Sequence, residues 1–125
     1  MPNPNIAKLG TLQALNLNFK CEGLDPNLLL TTQSSQTVKL NSLYITNNNL
    51  CSKHTAISLY INDGSRSDST SNFHLAKNIV VPLQTTIILI DKESVVYLKP
   101  SSFLYIVDHL GSSIEGVLSY DIMQE

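Results

Sequence analysis

Between Thr55 and Ile61 the chain reads TAISLYI, with Ile57, Leu59 and Ile61 on one side of an extended backbone and Ala56, Ser58 and Tyr60 on the other. This period of two predicts a half-buried strand, and Asn62-Asp63-Gly64 closes it with a strong turn signal. Strand-length apolar segments recur on both sides of it. LGTLQAL starts at Leu9, LLLTT follows the turn residues Gly23-Leu24-Asp25-Pro26-Asn27, and TVKLNSLYIT stops at Asn47-Asn48-Asn49. Phe73 to Val81, Thr85 to Asp91, Ser94 to Leu98, Ser102 to His109 and Ile114 to Ile122 complete the series. Within IVVPLQTTIILID, residues 79–91, Pro82 removes a ladder donor, so it ends one strand and opens a turn at Leu83-Gln84 before the next strand begins at Thr85. Eight or nine short strands at spacings of about 10 residues predict an all-β fold, an antiparallel β-sandwich of jelly-roll type. No window carries a capped 3.6-residue apolar period, so no long helix is expected, only a single helical turn near Pro26 to Leu30.

Several strands are apolar on both faces. Ile87 and Leu89 alternate with Ile88 and Ile90, Val95 and Tyr97 with Val96 and Leu98, and Phe103, Tyr105 and Val107 with Leu104 and Ile106. A two-layer sandwich buries one face of each strand, so the second face needs a cover. The expected cover is another subunit, and the alternative is the loop 62–74 folding back. The first eight residues, MPNPNIAK, read as an extended arm able to order on a neighbour, with residues 9–125 forming a single β-sandwich domain. The candidate interface residues are Ile6 in the arm and Ile88, Ile90, Val96, Leu98, Leu104 and Ile106 on the strands.

Composition strengthens the β reading. Twelve Asn, fifteen Ser and nine Thr take the place of charge, which is only 14% of the chain, and these residues favour turns and solvated strand faces over helix interiors. A net charge of -2 and scattered Lys and Arg give no basic field for nucleic acid. No apolar run approaches the length of a membrane helix and the N-terminus lacks signal-peptide organisation, so synthesis in a cytoplasm is expected. Cys21 and Cys51 stand in unrelated contexts and read as buried thiols.

The chain offers few residues in patterns that support reaction chemistry. Cys51-Ser52-Lys53-His54 supplies two residues at metal-ligand spacing but no second pair completes a site, and His54, His74 and His109 read as structural or surface histidines. Asn62-Asp63-Gly64 with Asp68 lacks the order of a calcium loop and has Arg66 within it. No G-x-S-x-G elbow or phosphate-binding glycine loop occurs, and Asp91, Glu93, Asp108 and Glu115 are not grouped as a sugar-cleaving pair. The expectation is no catalytic residue, no metal and no cofactor. The rival class is a carbohydrate- or receptor-binding module, which would need Tyr44, Tyr60 and Tyr105 exposed in one shallow groove. An enzyme is the third reading.

The order YITNNN, AISLYINDG, FHLAKNIVVPLQTTIILIDKESVVYLKPSSFLYIV and IEGVLSYDI, over residues 38 to 122, resembles a group of small virion proteins of tailed bacteriophages of marine and cyanobacterial type. The matching elements are Tyr44 to Asn47, Ile57 to Ile61, Val81 to Leu89, Val95 to Leu98 and Ser119 to Ile122. The chain departs from the pattern at Pro100-Ser101-Ser102, where members of the group tend to carry Gly-Asp. The resemblance implies a non-enzymatic structural component of a phage particle located in the virion. Head decoration, cementing neighbouring capsid subunits, is the first expectation, and a neck, collar or tail-fibre attachment role is the alternative. The partners it implies are phage capsid or tail proteins; the two-sided strands add further copies of the chain, a trimer being favoured, and charge and run length leave the expectation of no nucleic acid and no membrane.

Overall fold

A computed structural model describes residues 11–21, 23–48, 54–64, 71–111 and 114–124. Among the described residues nine strands form: β1 (Thr11–Lys20), β2 (Asn27–Thr31), β3 (Gln36–Asn47), β4 (Thr55–Asn62), β5 (Asn72–Val81), β6 (Thr86–Ile90), β7 (Val96–Leu98), β8 (Phe103–Asp108) and β9 (Ile114–Gln124). All pairings are antiparallel. One sheet has the order β1-β9-β3-β6, with β7 pairing the other end of β3. The second has the order β2-β8-β4-β5. Because β6 and β7 share one place beside β3, the two layers each have four strand positions. The chain crosses between sheets at most connections, and this is the two-layer Greek-key arrangement of a jelly roll. No α-helix occurs among the described residues. The helical turn expected near Pro26 to Leu30 is instead β2, whose pairing with β8 overrides the local turn signal.

The core lies between the sheets. Val38, Leu40, Leu43 and Ile45 from β3 meet Ile57 and Leu59 from β4, Leu104 and Ile106 from β8, and Ile114 and Leu118 from β9. A bulge in β3 lets one strand serve the core along twelve residues. Against β9 the register passes from Leu40↔Tyr120 to Ser42↔Ser119, so Asn41 has no opposite residue and the inward parity switches from Val38 and Leu40 to Leu43, Ile45 and Asn47.

A second bulge corrects the reading of β6. Leu43 pairs with Ile90 but Tyr44 with Ile88, leaving Leu89 unopposed, so Ile88 points outward while Ile90 enters the core at 3% exposure. On β7 and β8 the inward face is Val96 and Leu98, and Leu104 and Ile106. Ile90, Leu98, Leu104 and Ile106 are therefore core residues of their own chain, out of a neighbour's reach, and Val96 is half-buried against the same core. A strand apolar on both faces carries no parity signal, so pairing with its neighbours decides which face is inside. Ile6 lies outside the described residues.

The crossing from β5 to β6 shows how the turn chemistry works. Pro82 follows the last strand residue, Leu83 and Gln84 form the turn, and Gln84 takes a left-handed φ of 50°. Buried Asn47 clamps this crossing: its backbone N–H donates to Thr85 O at 3.0 Å and its side-chain Nδ2 to Val81 O at 3.1 Å. Between β6 and β7, Asp91 Oδ1 accepts from Glu93 N, Ser94 N and Ser94 Oγ at 2.9 to 3.1 Å. These donors, the Glu93 N–H foremost, hold the Asp91 carboxyl below its ordinary value.

Candidate functional site: the outer faces of the sandwich

Each sheet presents to solvent a transverse row of large side chains. On the β1-β9-β3-β6 sheet, Asn18, Val117, Tyr44 and Ile88 stand opposite one another across four strands. Val117, Tyr44 and Ile88 are 41%, 44% and 57% exposed. The adjoining row is polar: Lys20 Nζ lies 4.0 Å from Glu115 Oε2, and the hydroxyls of Thr46 and Thr86 are 2.7 Å apart. The two rows border a shallow depression of about 340 Å³. An ion pair this exposed contributes little to stability, so the apolar row is the energetic feature of the face.

Opposite residues on the other sheet are Leu28, Tyr105, Tyr60 and His74, one from each strand. Tyr60 stacks on Tyr105 with centroids 5.4 Å apart and meets the His74 ring at 5.3 Å. Partial burial, and secondarily the neighbouring Tyr105, pushes the Tyr60 phenol above its ordinary value. The rings turn their faces largely toward each other and so do not form an open stacking platform. Tyr44 belongs to the opposite sheet, so the three tyrosines do not share one groove, and the geometry required for the sugar-binding reading is not met.

The remaining candidate residues are scattered. His54 is exposed ahead of β4, and Cys51, its partner in the metal spacing, lies outside the described residues, as do Arg66 and Asp68. His109 Nε2 is 2.7 Å from Ser58 Oγ, which also accepts the Asn78 N–H at 3.0 Å. Asn62-Asp63-Gly64 is a structural turn in which Asn62 Oδ1 accepts the Gly64 N–H at 2.9 Å. Gly64, at φ 73°, lets that turn approach the one between β7 and β8: a Cβ on it would stand 2.7 Å from Ser101 O. Glu115 faces Lys20, Asp91 and Glu93 share the β6–β7 turn, and Asp108 is buried at the end of β8. Among the described residues, no three of His, Cys, Asp and Glu gather as metal ligands.

Sequence reasoning did not anticipate two buried features. Asp108 is fully buried, takes a hydrogen bond from the Thr55 hydroxyl through Oδ1, and has no partner for Oδ2 among the described residues. Burial, with the Asp108 carboxylate as second cause, pushes the Cys21 thiol up to about 11, making it a poor nucleophile. The second feature is Gly116, whose bare Cα lies under the ring of Phe19 from the neighbouring strand. Its one sequence signal is a glycine within an otherwise regular strand pattern.

No protein-family model matches the chain, and no curated protein matches it either. Among solved structures the fold is similar to a subunit of Bacillus endospore appendages, described as a novel family of disulfide-linked pili. The TM-score is 0.56 at 7% identity, over 99% of this chain and 96% of that one. VP2 of infectious bursal disease virus aligns over 99% of this chain but 44% of its own, with a TM-score of 0.37 and 9% identity. A second VP2 structure gives 0.30. Scores of that size establish no shared fold, whereas the likeness to the appendage subunit extends over both chains end to end.

Proposed function

We propose that the chain is a non-enzymatic structural subunit that works by packing its outer faces against neighbours in a larger assembly. The observation that carries this reading is the transverse row of large side chains on both outer faces, Val117-Tyr44-Ile88 on one sheet and Leu28-Tyr105-Tyr60-His74 on the other. Because four of the expected interface residues belong to the core, the first row offers only about 250 Å² of apolar surface, worth roughly 6 kcal/mol at about 25 cal/mol per Å² before association costs. That is a contact for one of several interfaces in an assembly, not for a tight isolated dimer.

Within this role, the strand motifs favour a phage virion component, with head decoration ahead of neck, collar or tail attachment. The test is binding of the purified protein to expanded empty heads that lack it, compared with tails; binding to tails alone moves the assignment there. A second reading, a subunit of a surface filament, is favoured by the end-to-end fold likeness to an endospore appendage subunit. Cys21 is poorly suited to begin a disulfide route to such a filament, because burial pushes its half-buried thiol up to about 11 and so leaves little thiolate near neutral pH. For either particle, Ile88→Asp is expected to weaken incorporation at least tenfold without changing the far-UV spectrum. Wild-type incorporation by that variant counts against the outer-face reading.

A further inference from the structure

Every open sheet has edges, and a long edge with its N–H and C=O groups unpaired invites another strand unless charge, bulges or brevity protect it. Three of the edge positions here are protected. β2 has five residues and a register break between Leu28 and Leu30. β6 and β7 have five and three residues and are separated by the turn after Ile90. β5 breaks register twice against β4, carries Lys77, and holds Asn78 at φ 52°.

β1 has none of these devices. Its register with β9 runs unbroken over ten residues from Thr11↔Gln124 to Lys20↔Glu115. It contains no proline, no glycine and no charge before Lys20, which already faces Glu115. Among the described residues no strand lies on its other side. Leu15 gives an independent indication: it stands opposite Tyr120, which packs on the core, yet remains 39% exposed because the sheet stops at β1.

We propose that β1 pairs antiparallel with β1 of a second copy, joining two sheets across a two-fold axis. The partner edge must be as long and as flat as β1, and the one such edge among the described residues is β1 itself. Opposed residues in an antiparallel pair lie on the same face, so overlap of nine of the ten residues allows two registers, with Leu15 opposite either Leu15 or Leu17 of the second copy. Either one covers Leu15. This inference rests on the assembly reading above but uses a different surface, and it gives a two-fold contact where the sequence alone favoured a trimer. A strand edge about 34 Å long and about 10 Å deep is well below the roughly 800 Å² per partner of a standard interface. The pairing is therefore reversible, with a dissociation constant between about 10 µM and 1 mM.

The test is sedimentation velocity of the full chain over that concentration range, with hydrogen exchange at its two ends. The wild type is expected to shift from monomer to dimer, with about two- to sevenfold slower exchange of β1 amides, and of no β5 amides, at the high concentration. Leu15→Lys on the core side and Asn16→Lys on the outer side each place like charges at or beside the axis in either register and are expected to remain monomeric while keeping the wild-type circular dichroism. Ile88→Asp is expected to dimerise as the wild type does. A wild type that self-associates equally with both lysine variants, or whose protection appears on β5, overturns the edge pairing and leaves the assembly reading intact. A wild type monomeric throughout also overturns the edge pairing, and the assembly reading then depends on the Ile88→Asp incorporation assay alone.

Discussion

Substitution of Gly116 by alanine probes how β1 is held on its sheet. A Cβ at this position would overlap Cζ of the Phe19 ring and stand 2.8 Å from its Cε1 and 2.9 Å from the backbone oxygen of Tyr44. The two collisions differ in kind. The half-buried ring can swing toward solvent at the loss of its packing, but the Tyr44 carbonyl belongs to the β3 ladder and moves only with that strand. Overpacking of this kind costs about 1–3 kcal/mol, and the displaced ring raises the expected total for Gly116→Ala to about 2–3 kcal/mol. For a domain of this size that lowers Tm by roughly 10 °C. The chain has no tryptophan, so far-UV circular dichroism in a urea titration is the suitable readout. A double-mutant cycle separates the two collisions. In a Phe19→Ala background, Gly116→Ala is expected to cost only about 1 kcal/mol, the carbonyl part, giving a coupling of about 1–2 kcal/mol. Equal costs with and without the ring, or a Gly116→Ala protein as stable as the wild type, would refute the reasoning.

Three further outcomes follow from particular contacts. Asn47→Ala removes the donor to Val81 O at the buried β5–β6 crossing and is expected to cost about 1–3 kcal/mol in the same titration, with Tm lower accordingly. Gln84→Gly relieves a left-handed φ of 50° in the adjoining turn and is expected to stabilise by about 0.5–1 kcal/mol, a gain Gln84→Ala does not share. At pH 8, Cys21 is expected to react with iodoacetamide about a hundredfold more slowly in the folded chain than in urea, followed by site-resolved mass spectrometry. Since the folded thiol holds its proton more tightly than the unfolded one, stability is expected to fall as pH rises from about 9 to about 11.

Most of the fold was legible because strands announce themselves by period two and by their turns. Ile57, Leu59 and Ile61 alternate against polar or small neighbours, Pro82 marks a strand end, and Asn62-Asp63-Gly64 forms the expected turn. The outer surface was harder to read. Ile87 to Ile90 carry apolar side chains in unbroken succession, so nothing local shows that the chain bulges at Leu89 and sends Ile88 and Ile90 to opposite sides. Leu104 and Ile106 were indistinguishable from Phe103, Tyr105 and Val107 until β8 took its place between β2 and β4. The outward row Val117-Tyr44-Ile88 comes from three strands far apart in sequence, and only their registers reveal it. Asp108 gave no local sign of burial, because a carboxylate at a strand end ordinarily faces water.

The central claim is that the outer face bearing Val117, Tyr44 and Ile88 packs against a neighbour in an assembled particle. A cryo-electron-microscopy reconstruction of the particle that contains this chain tests it most directly. The account predicts that all three side chains are buried against an adjacent subunit; a reconstruction that leaves that face open to solvent in every copy would contradict it.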